Sequence, residues 1–504
     1  MKKNKRKILL GPVITIIVMI IVIIVASAIA SILGVQGEVT SVVNGTLETS
    51  VTTVRSIFSK EGLEYLFSSP VETFQNFKPL VLLIIALMAI SIGKASGLFK
   101  AVFTPLRRVK PAIITFLTLF AGIVSSFLGE YGYVVLLPLT AVFYQYLGRN
   151  SVLGILTSFV GITMGYGAGL VFNFDDYQLG MLTREAATVS VDEGYVFNAW
   201  SNSFIMLAST FVLAIVGTLI IETFLKPKVK ESIKEEDELV ISKKGLAFSS
   251  IAFILLLLLF IYMIVPGLPG SGILLDMDQK DYVAQLLGGD APFTDAFIFM
   301  LLIMMMVCSG IYGFVSKNIK NTNDFSVGLS KEFDNLGYIF ILMFFVSLMV
   351  SILNFTNLGE VIGAWLISFM SNLEFTGLPL VLIMFIVIII MSLLIPDSVT
   401  KWTMASPILV PLFMKANITP DFTQFIFKAA DSVGKGLTPF FIYFIVMLAL
   451  LEKYNSKESV KITVFGTLKT LLPTILLFAV VWAVILIGWF IIGLPIGPDT
   501  YPTM

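Results

Sequence analysis

The sequence predicts an all-α membrane protein with about nine transmembrane helices, two re-entrant helical hairpins and an internal inverted repeat. Three observations lead there: an apolar bulk composition, long uncharged runs, and interruptions at matching places in two halves. Hydrophobic residues make up 57% of the 504 residues and charged residues 13%, with a mean hydropathy of +0.95. A soluble domain is about half apolar and about a quarter charged, so lipid is the expected solvent.

A spanning helix needs about 20 apolar residues. Residues 8–37, 111–129, 151–174, 194–221, 245–275 and 470–498 meet this without a single charge. In lipid every backbone polar group must pair internally, which leaves helices or a closed barrel. The runs are too long and too evenly apolar for barrel strands of about ten alternating residues.

Loop charges set the expected topology. Lys2, Lys3, Lys5, Arg6 and Lys7 precede the first run. That run is about twice the length of a signal-peptide core, so a spanning helix is expected there even though Ala26-Ser27-Ala28 resembles a cleavage site. The positive-inside rule puts the N-terminus in the cytoplasm. Basic loops at 94–110, 226–244, 317–331 and 453–461 mark the same side. Loops 38–77, 183–198 and 276–295 carry fewer Lys and Arg and are expected outside, with 499–504. An inside start and an outside end require an odd number of crossings, and nine fit best. Residues 226–244 form the longest hydrophilic linker, dividing a first half (1–225) from a second (245–504).

Two short apolar segments carry prolines: 131–148, with Pro138, and 402–414, with Pro407 and Pro411. They are read as hairpins near 130–150 and 396–416. A glycine-rich break follows each, at 165–169 and at Gly434-Lys435-Gly436. Broken segments at corresponding positions of two halves point to a binding site between them. Ionisable residues cluster there: Glu130, Asp175, Asp176, Asp397, Lys401, Lys428, Asp431 and Lys435. Charges at membrane depth are costly and either pair or line a wet path. Both readings stay open for Lys428 and Asp431, which share a helix face, and for Asp176, whose alternative is a position near the outer surface. Trp402, with Ser398, Thr400, Thr403 and Ser406 nearby, suggests stacking on an aromatic substrate, or else an interfacial anchor.

Histidine is absent and Cys308 is the one cysteine. These counts exclude His-ligated metals, His-based triads and a disulfide framework. Neither Gly93-Lys94 nor Gly434-Lys435 has the earlier glycine of a nucleotide-binding loop; Met88 and Ala429 stand there. An enzyme limited to carboxylate chemistry and a passive channel are the competing classes. No cofactor and no nucleic-acid partner are expected; the partners are the lipid bilayer and a small anionic aromatic molecule.

At these residues the chain resembles the p-aminobenzoyl-glutamate transporter (AbgT) family over nearly its whole length. The resemblance is carried by residues 54–63, Ser96-Gly97-Leu98, residues 132–139 and 182–187, Lys401-Trp402, residues 407–411, Asp431-Ser432-Val433, Thr438-Pro439, Lys453-Tyr454 and residues 493–498. It implies a homodimer in a bacterial cytoplasmic membrane. It further implies nine spans and two hairpins per subunit, and ion-driven transport of p-aminobenzoyl-glutamate-like folate catabolites or export of sulfonamide-type antimetabolites. On this likeness Asp176, Trp402, Pro411, Asp431 and Pro439 are functional positions. The combined expectation for substrate binding is Trp402, Ser398, Lys428, Lys435, Pro411, Pro439 and Ser432. For coupling to H+ or Na+ it is Asp176, Asp431, Glu130 and Asp397. The chain departs from the family pattern at Lys428 (usually Arg), Glu130 (usually Asp), Pro396-Asp397, and Gly169, Ser392 and Lys435 (usually Asn). Loss of the Asn carbonyls removes plausible sodium ligands.

Overall fold

A computed structural model describes residues 10–229, 239–334, 336–455 and 462–504. The basic N-terminal residues 1–7, residues 230–238 of the central linker and residues 456–461 therefore lie outside the described residues. Among the described residues, eight helices are long and apolar enough to cross a membrane by length and composition.

The first of these, α1 (Pro12–Ile32), opens on a proline at its first turn, where the missing N–H costs nothing. It leads into a two-stranded antiparallel hairpin, β1 (Gln36–Val43) and β2 (Thr46–Thr53). Among the described residues this is the one sheet in an otherwise helical chain. Its turn is Asn44-Gly45, both at positive φ (51° and 76°), the backbone that a two-residue hairpin turn requires. Next come α2 (Lys60–Ser68), α3 (Pro70–Gln75), α4 (Lys78–Ala95) and α5 (Leu98–Phe103).

Then follows a five-helix series: α6 (Pro111–Val124), α7 (Tyr131–Tyr146), α8 (Ser151–Met164), α9 (Phe174–Ser190) and α10 (Ser203–Ile220). After the linker lie α11 (Lys243–Ile264), α12 (Tyr282–Leu287), α13 (Pro292–Ser316), α14 (Thr322–Ser330), α15 (Gly337–Thr356) and α16 (Leu358–Ser371). A second five-helix series closes the chain: α17 (Gly377–Ser392), α18 (Ser398–Lys415), α19 (Pro420–Gly436), α20 (Ile442–Tyr454) and α21 (Val464–Ile492).

The two series match in order and run in opposite directions. Arg149 donates to Pro111 O (3.2 Å) and Val109 O (3.4 Å), and Arg107 donates to Tyr146 O. The start of α6 and the end of α7 therefore meet at one end of the molecule, the basic end. The end of α18 instead pairs with the chain terminus, through the Ile418–Thr503 bridge and Thr419 Oγ1 donating to Tyr501 O (2.7 Å). That end also carries the β-hairpin, as Trp365 Nε1 on α16 donates to Gln36 O (2.8 Å).

The proline segments differ from expectation. Residues 131–146 and 398–415 are each a single helix with the prolines inside it. The turns precede them, at residues 125–130 and 393–397. Neighbouring helices cover the backbone groups that proline frees, which is the setting that tolerates it. The glycine signal also splits. Residues 165–169 do open a non-helical break before α9, but α19 runs through Gly436, and its break lies at 437–441.

Gly434 serves close packing instead. A Cβ there would meet Ser392 Cβ at 2.4 Å and Ile389 O at 2.9 Å. The absent side chain is what lets α19 lie against α17.

The basic end is tied by Glu332, between α14 and α15. Its carboxylate pairs with Lys94 on α4 (2.9 Å) and Lys453 on α20 (3.1 Å), and Tyr454 Oη donates to it (2.9 Å). Burial pushes the Glu332 carboxyl up, but the two ammonium groups outweigh it and hold the group at about 2.

We predict two stability effects, read by thermal unfolding in detergent. Gly434→Ala wedges α17 from α19 and costs about 1–3 kcal/mol, whereas Gly488→Ala, with nothing within 4 Å, is near neutral. Glu332 contributes stability that is complete above its unfolded value near 4.3 and is lost as pH falls towards about 2. Glu332→Gln should lower stability at pH 7, on the order of 3 kcal/mol, and flatten the acid limb in that window.

Candidate functional site

The two turns and the two breaks face one cavity of about 740 Å³. Residues 126–130 of the first turn and 394–400 of the second line it, with Tyr166 of the first break, Asp175, Lys435 and residues 440–443 of the second break. It extends to Lys78, Gly289, Asn357 and Glu360, all at the β-hairpin end.

Asp431 on α19 sits beside the deep wall, fully buried. Lys401 on α18 pairs with it, and Lys435, one turn along α19, lies 3.3 Å from its other oxygen. Ser392 Oγ (2.8 Å) and Ser398 Oγ (2.5 Å) donate to the same carboxylate, and Lys401 Nζ also donates to Ser392 Oγ (2.7 Å). One carboxylate thus holds α17, α18 and α19 together. Lys435 further stands over the Tyr166 ring, 3.7 Å from its centroid, a cation–π contact.

The second buried pair joins the halves. Lys428 on α19 meets Asp176 on α9. Asp176 also accepts from Asn173 N (2.9 Å), while its own N–H donates to Asn173 Oδ1 (2.8 Å), a capping box. Asn173 Nδ2 donates to Ser126 O (2.9 Å), which anchors the break to the first turn. Ser432 Oγ accepts from Gly167 N (2.9 Å) and so fixes the glycine run against α19.

Of the expected site residues, Ser398, Lys435, Glu130 and Asp397 line the cavity. Asp397 caps α18 through Thr400 N (2.7 Å), and Glu130 accepts from Tyr443 Oη (2.9 Å). Asp176, Lys428, Asp431 and Ser432 stand behind the wall as ion pairs and packing bonds. Lys428 and Asp431 do not pair with each other: each takes a partner on another helix.

Trp402 is not a stacking face of the cavity. It is fully buried, with its ring 4.6 Å from Phe427 and its Nε1 donating to Thr183 Oγ1 (2.9 Å) and Leu179 O (3.2 Å). It binds α18 to α9. Pro411 is buried inside α18, and Pro439 lies in the second break outside the lining.

Lining residues absent from the sequence-derived assignment are Asp175, Tyr166, Tyr131, Tyr133 and Tyr443. Tyr133 and Tyr443 stack at 4.8 Å, one from each half. Adjacency to the breaks was the available signal: Tyr166 lies within the glycine run and Tyr443 just after Thr438-Pro439. Among the described residues, no group of three acidic or cysteine side chains is placed to hold a metal ion.

Removing one partner of a buried ion pair leaves an uncompensated charge, at about 3–5 kcal/mol. Asp176→Asn keeps a capping side chain but strands Lys428, so it should lower the unfolding temperature. Adding Lys428→Met should restore most of the loss, since the pair is then neutral.

Comparison with known proteins agrees with this architecture. A family model described as "AbgT putative transporter family" matches residues 6–504. The p-aminobenzoyl-glutamate transport protein of Escherichia coli (strain K12) is 26% identical over 457 residues, covering 90% of this chain and 87% of that protein. Among solved structures, Neisseria gonorrhoeae MtrF, described within a class of antimetabolite efflux pumps, is 27% identical at a TM-score of 0.50, with 98% of each chain covered. The Alcanivorax borkumensis YdaH transporter, described as having an unusual topology, is 26% identical at 0.49, covering 97% of this chain and 100% of that one. These relatives are transporters, not enzymes. With a family match over essentially its full length, the chain belongs to the AbgT family of membrane transporters.

Proposed function

We propose that this protein is an ion-gradient-driven secondary transporter of small aromatic solutes, of the p-aminobenzoyl-glutamate or sulfonamide antimetabolite type. The cavity carries the reading. It is large enough for such a solute, sits where two turns and two helix breaks converge, and extends towards one end of the molecule. A broken-helix site between inverted repeats is the arrangement that alternating-access transporters use.

In the proposed topology α8 with α9, and α19 with α20, each make one composite crossing. Added to α1, α4, α10, α11, α13, α15 and α21, they give nine. The pairs α6–α7 and α17–α18 then enter from opposite sides and turn back at the cavity. The basic end, with Lys94, Lys100, Arg107, Arg108, Arg149 and Lys453, faces the cytoplasm by the positive-inside rule. This places the N-terminus inside and the C-terminus outside a bacterial cytoplasmic membrane, and makes the cavity face outward. The assembly is proposed as a homodimer on the family likeness. Lipid or a second copy would cover the exposed apolar face of α11, where only Gly245 and Ser249 are buried.

Coupling by H+ or Na+ is assigned to the cavity carboxylates Glu130, Asp175 and Asp397. Asp431 is already satisfied by two ammonium groups and two hydroxyls.

The test is transport of labelled p-aminobenzoyl-glutamate and a labelled sulfonamide in proteoliposomes, with proton and sodium gradients imposed separately. Net movement should require one gradient, and Glu130→Gln should reduce it at least about tenfold, a loss of roughly 1.4 kcal/mol or more. Movement that persists after both gradients are dissipated would remove the coupling.

A further inference from the structure

We infer that the ammonium group of Lys435 takes the place of a coupling metal cation, so that transport by this protein needs no Na+ and the proton is the coupling ion. This rests on the transport reading and narrows its choice between H+ and Na+. Lys435 lies in the last turn of α19, immediately before the second break. In transporters built from broken helices a metal cation is drawn to that position, towards a half-helix C-terminus and the oxygens around it. Here the chain supplies the cation itself.

The surroundings of Lys435 Nζ are those of a bound cation. It donates to Ser398 Oγ and lies 3.3 Å from Asp431 Oδ2. The centroid of the Tyr166 ring is 3.7 Å away and that of Phe441 5.8 Å. Carboxylate and hydroxyl oxygens suit a hard cation, and ring faces attract an ammonium. Ser398 opens α18 after the second turn, and Tyr166 belongs to the first break. The Nζ therefore sits where the two halves meet at the cavity wall.

Charge points the same way. Lys401 and Lys435 already set two positive charges against the single negative charge of Asp431. Na+ sharing those oxygens would add a third at contact distance, in a region where repulsion is weakly screened. The buried carboxylate that follows the first break, Asp176, has its own tethered cation in Lys428. The Lys428 ammonium lies 5.3 Å from the centroid of the same Tyr166 ring. Asp431 and Asp176 are thus both matched by lysines of α18 and α19, and neither is left to a metal ion. The cavity carboxylates assigned to coupling above then carry protons.

Thermal unfolding of the full-length protein in detergent separates the ion from the solute, with NaCl exchanged for choline chloride at constant ionic strength. The wild-type midpoint should not move. Lys435→Ala removes the ammonium and opens its space. Its midpoint should fall, and Na+ or methylammonium should raise it again by about 2 °C in a saturable way. Lys435→Met removes the charge but fills the space, and should lose stability without any response to those ions. In proteoliposomes a proton gradient should move labelled p-aminobenzoyl-glutamate or a labelled sulfonamide in Na+-free buffer. A Na+ gradient without a pH difference should move neither.

A saturable Na+ effect on the wild-type midpoint overturns the inference, as does transport that requires Na+. So does a Lys435→Ala protein that answers to no small cation, or a Lys435→Met protein that answers as Lys435→Ala does. The wild-type measurements decide the matter even if neither variant folds. The transport reading fails separately, if no gradient of either ion moves the solutes; the unfolding measurements then still decide whether Lys435 holds the place of a cation.

Discussion

The carboxylate of Asp431 is the constraint on which the second half is built. A buried charge of this kind is tolerable only when it is paired and its remaining lone pairs are filled. Here two lysines and two serines from three helices do that. Each partner then dictates where its helix must lie. Lys401 and Ser398 place the first turns of α18, Ser392 places the end of α17, and Gly434 lets α19 come close enough for the contact. The turn at residues 393–397 is consequently fixed at the cavity floor, although the backbone there is not helical.

The first half is organised by different chemistry. Its turn at residues 125–130 holds no lysine. It is anchored by Ser126, whose hydroxyl donates to Ala168 O (2.9 Å) and whose carbonyl accepts from Asn173. The lysines at the deep wall, Lys401, Lys428 and Lys435, all come from α18 and α19, and the first half contributes Asp175, Asp176 and Glu130 there. The Lys428–Asp176 pair and the Trp402–Thr183 bond are therefore two of several polar ties between the halves, beside Tyr443–Glu130 and Gly167–Ser432. That explains why Trp402, a plausible ligand-stacking residue on paper, is consumed in packing: its ring and its N–H are both engaged by α9 and α19.

Much of this was legible in the chain because lipid imposes strict rules. Uncharged runs of about 20 residues have few readings, and the ionisable residues beside the interrupted segments converge on one region. What was not legible depended on distance through space. Proline looked like the marker of the turns, yet Pro138, Pro407 and Pro411 sit within helices, because neighbouring helices cover the freed backbone. Gly434-Lys435-Gly436 looked like a break, but Gly434 answers a close helix–helix approach. Sequence spacing left a Lys428–Asp431 pair open as one reading, whereas each charge is drawn to a partner on another helix. The β-hairpin carried a readable sign, Asn44-Gly45 between β-branched residues, that the membrane pattern overshadowed. Asp175 and Asp176 are adjacent and chemically identical, and only the capping geometry of α9 sends one to Lys428 and the other to the cavity.

The cavity reaches one end of the molecule, and the other end is closed by polar contacts rather than by apolar packing alone. Glu332 gathers Lys94 from α4 with Lys453 and Tyr454 from α20, and its backbone N–H donates to Ser91 Oγ on α4 (2.9 Å). Since α20 is the arm beyond the second break, this cluster joins that arm to helices outside the two repeats. A seal of this composition suits the alternating access proposed above. An apolar seal, once parted, exposes hydrocarbon to water at about 25 cal/mol per Å². Charged and hydroxyl groups exchange their partners for water at much lower net cost. The same reasoning separates the deep ion pairs from this one. Lys401 and Lys428 are buried away from solvent and would be left stranded by separation, so α9, α17, α18 and α19 should move as one body. The Glu332 cluster, at the edge of the fold, is where that body can part from its surroundings.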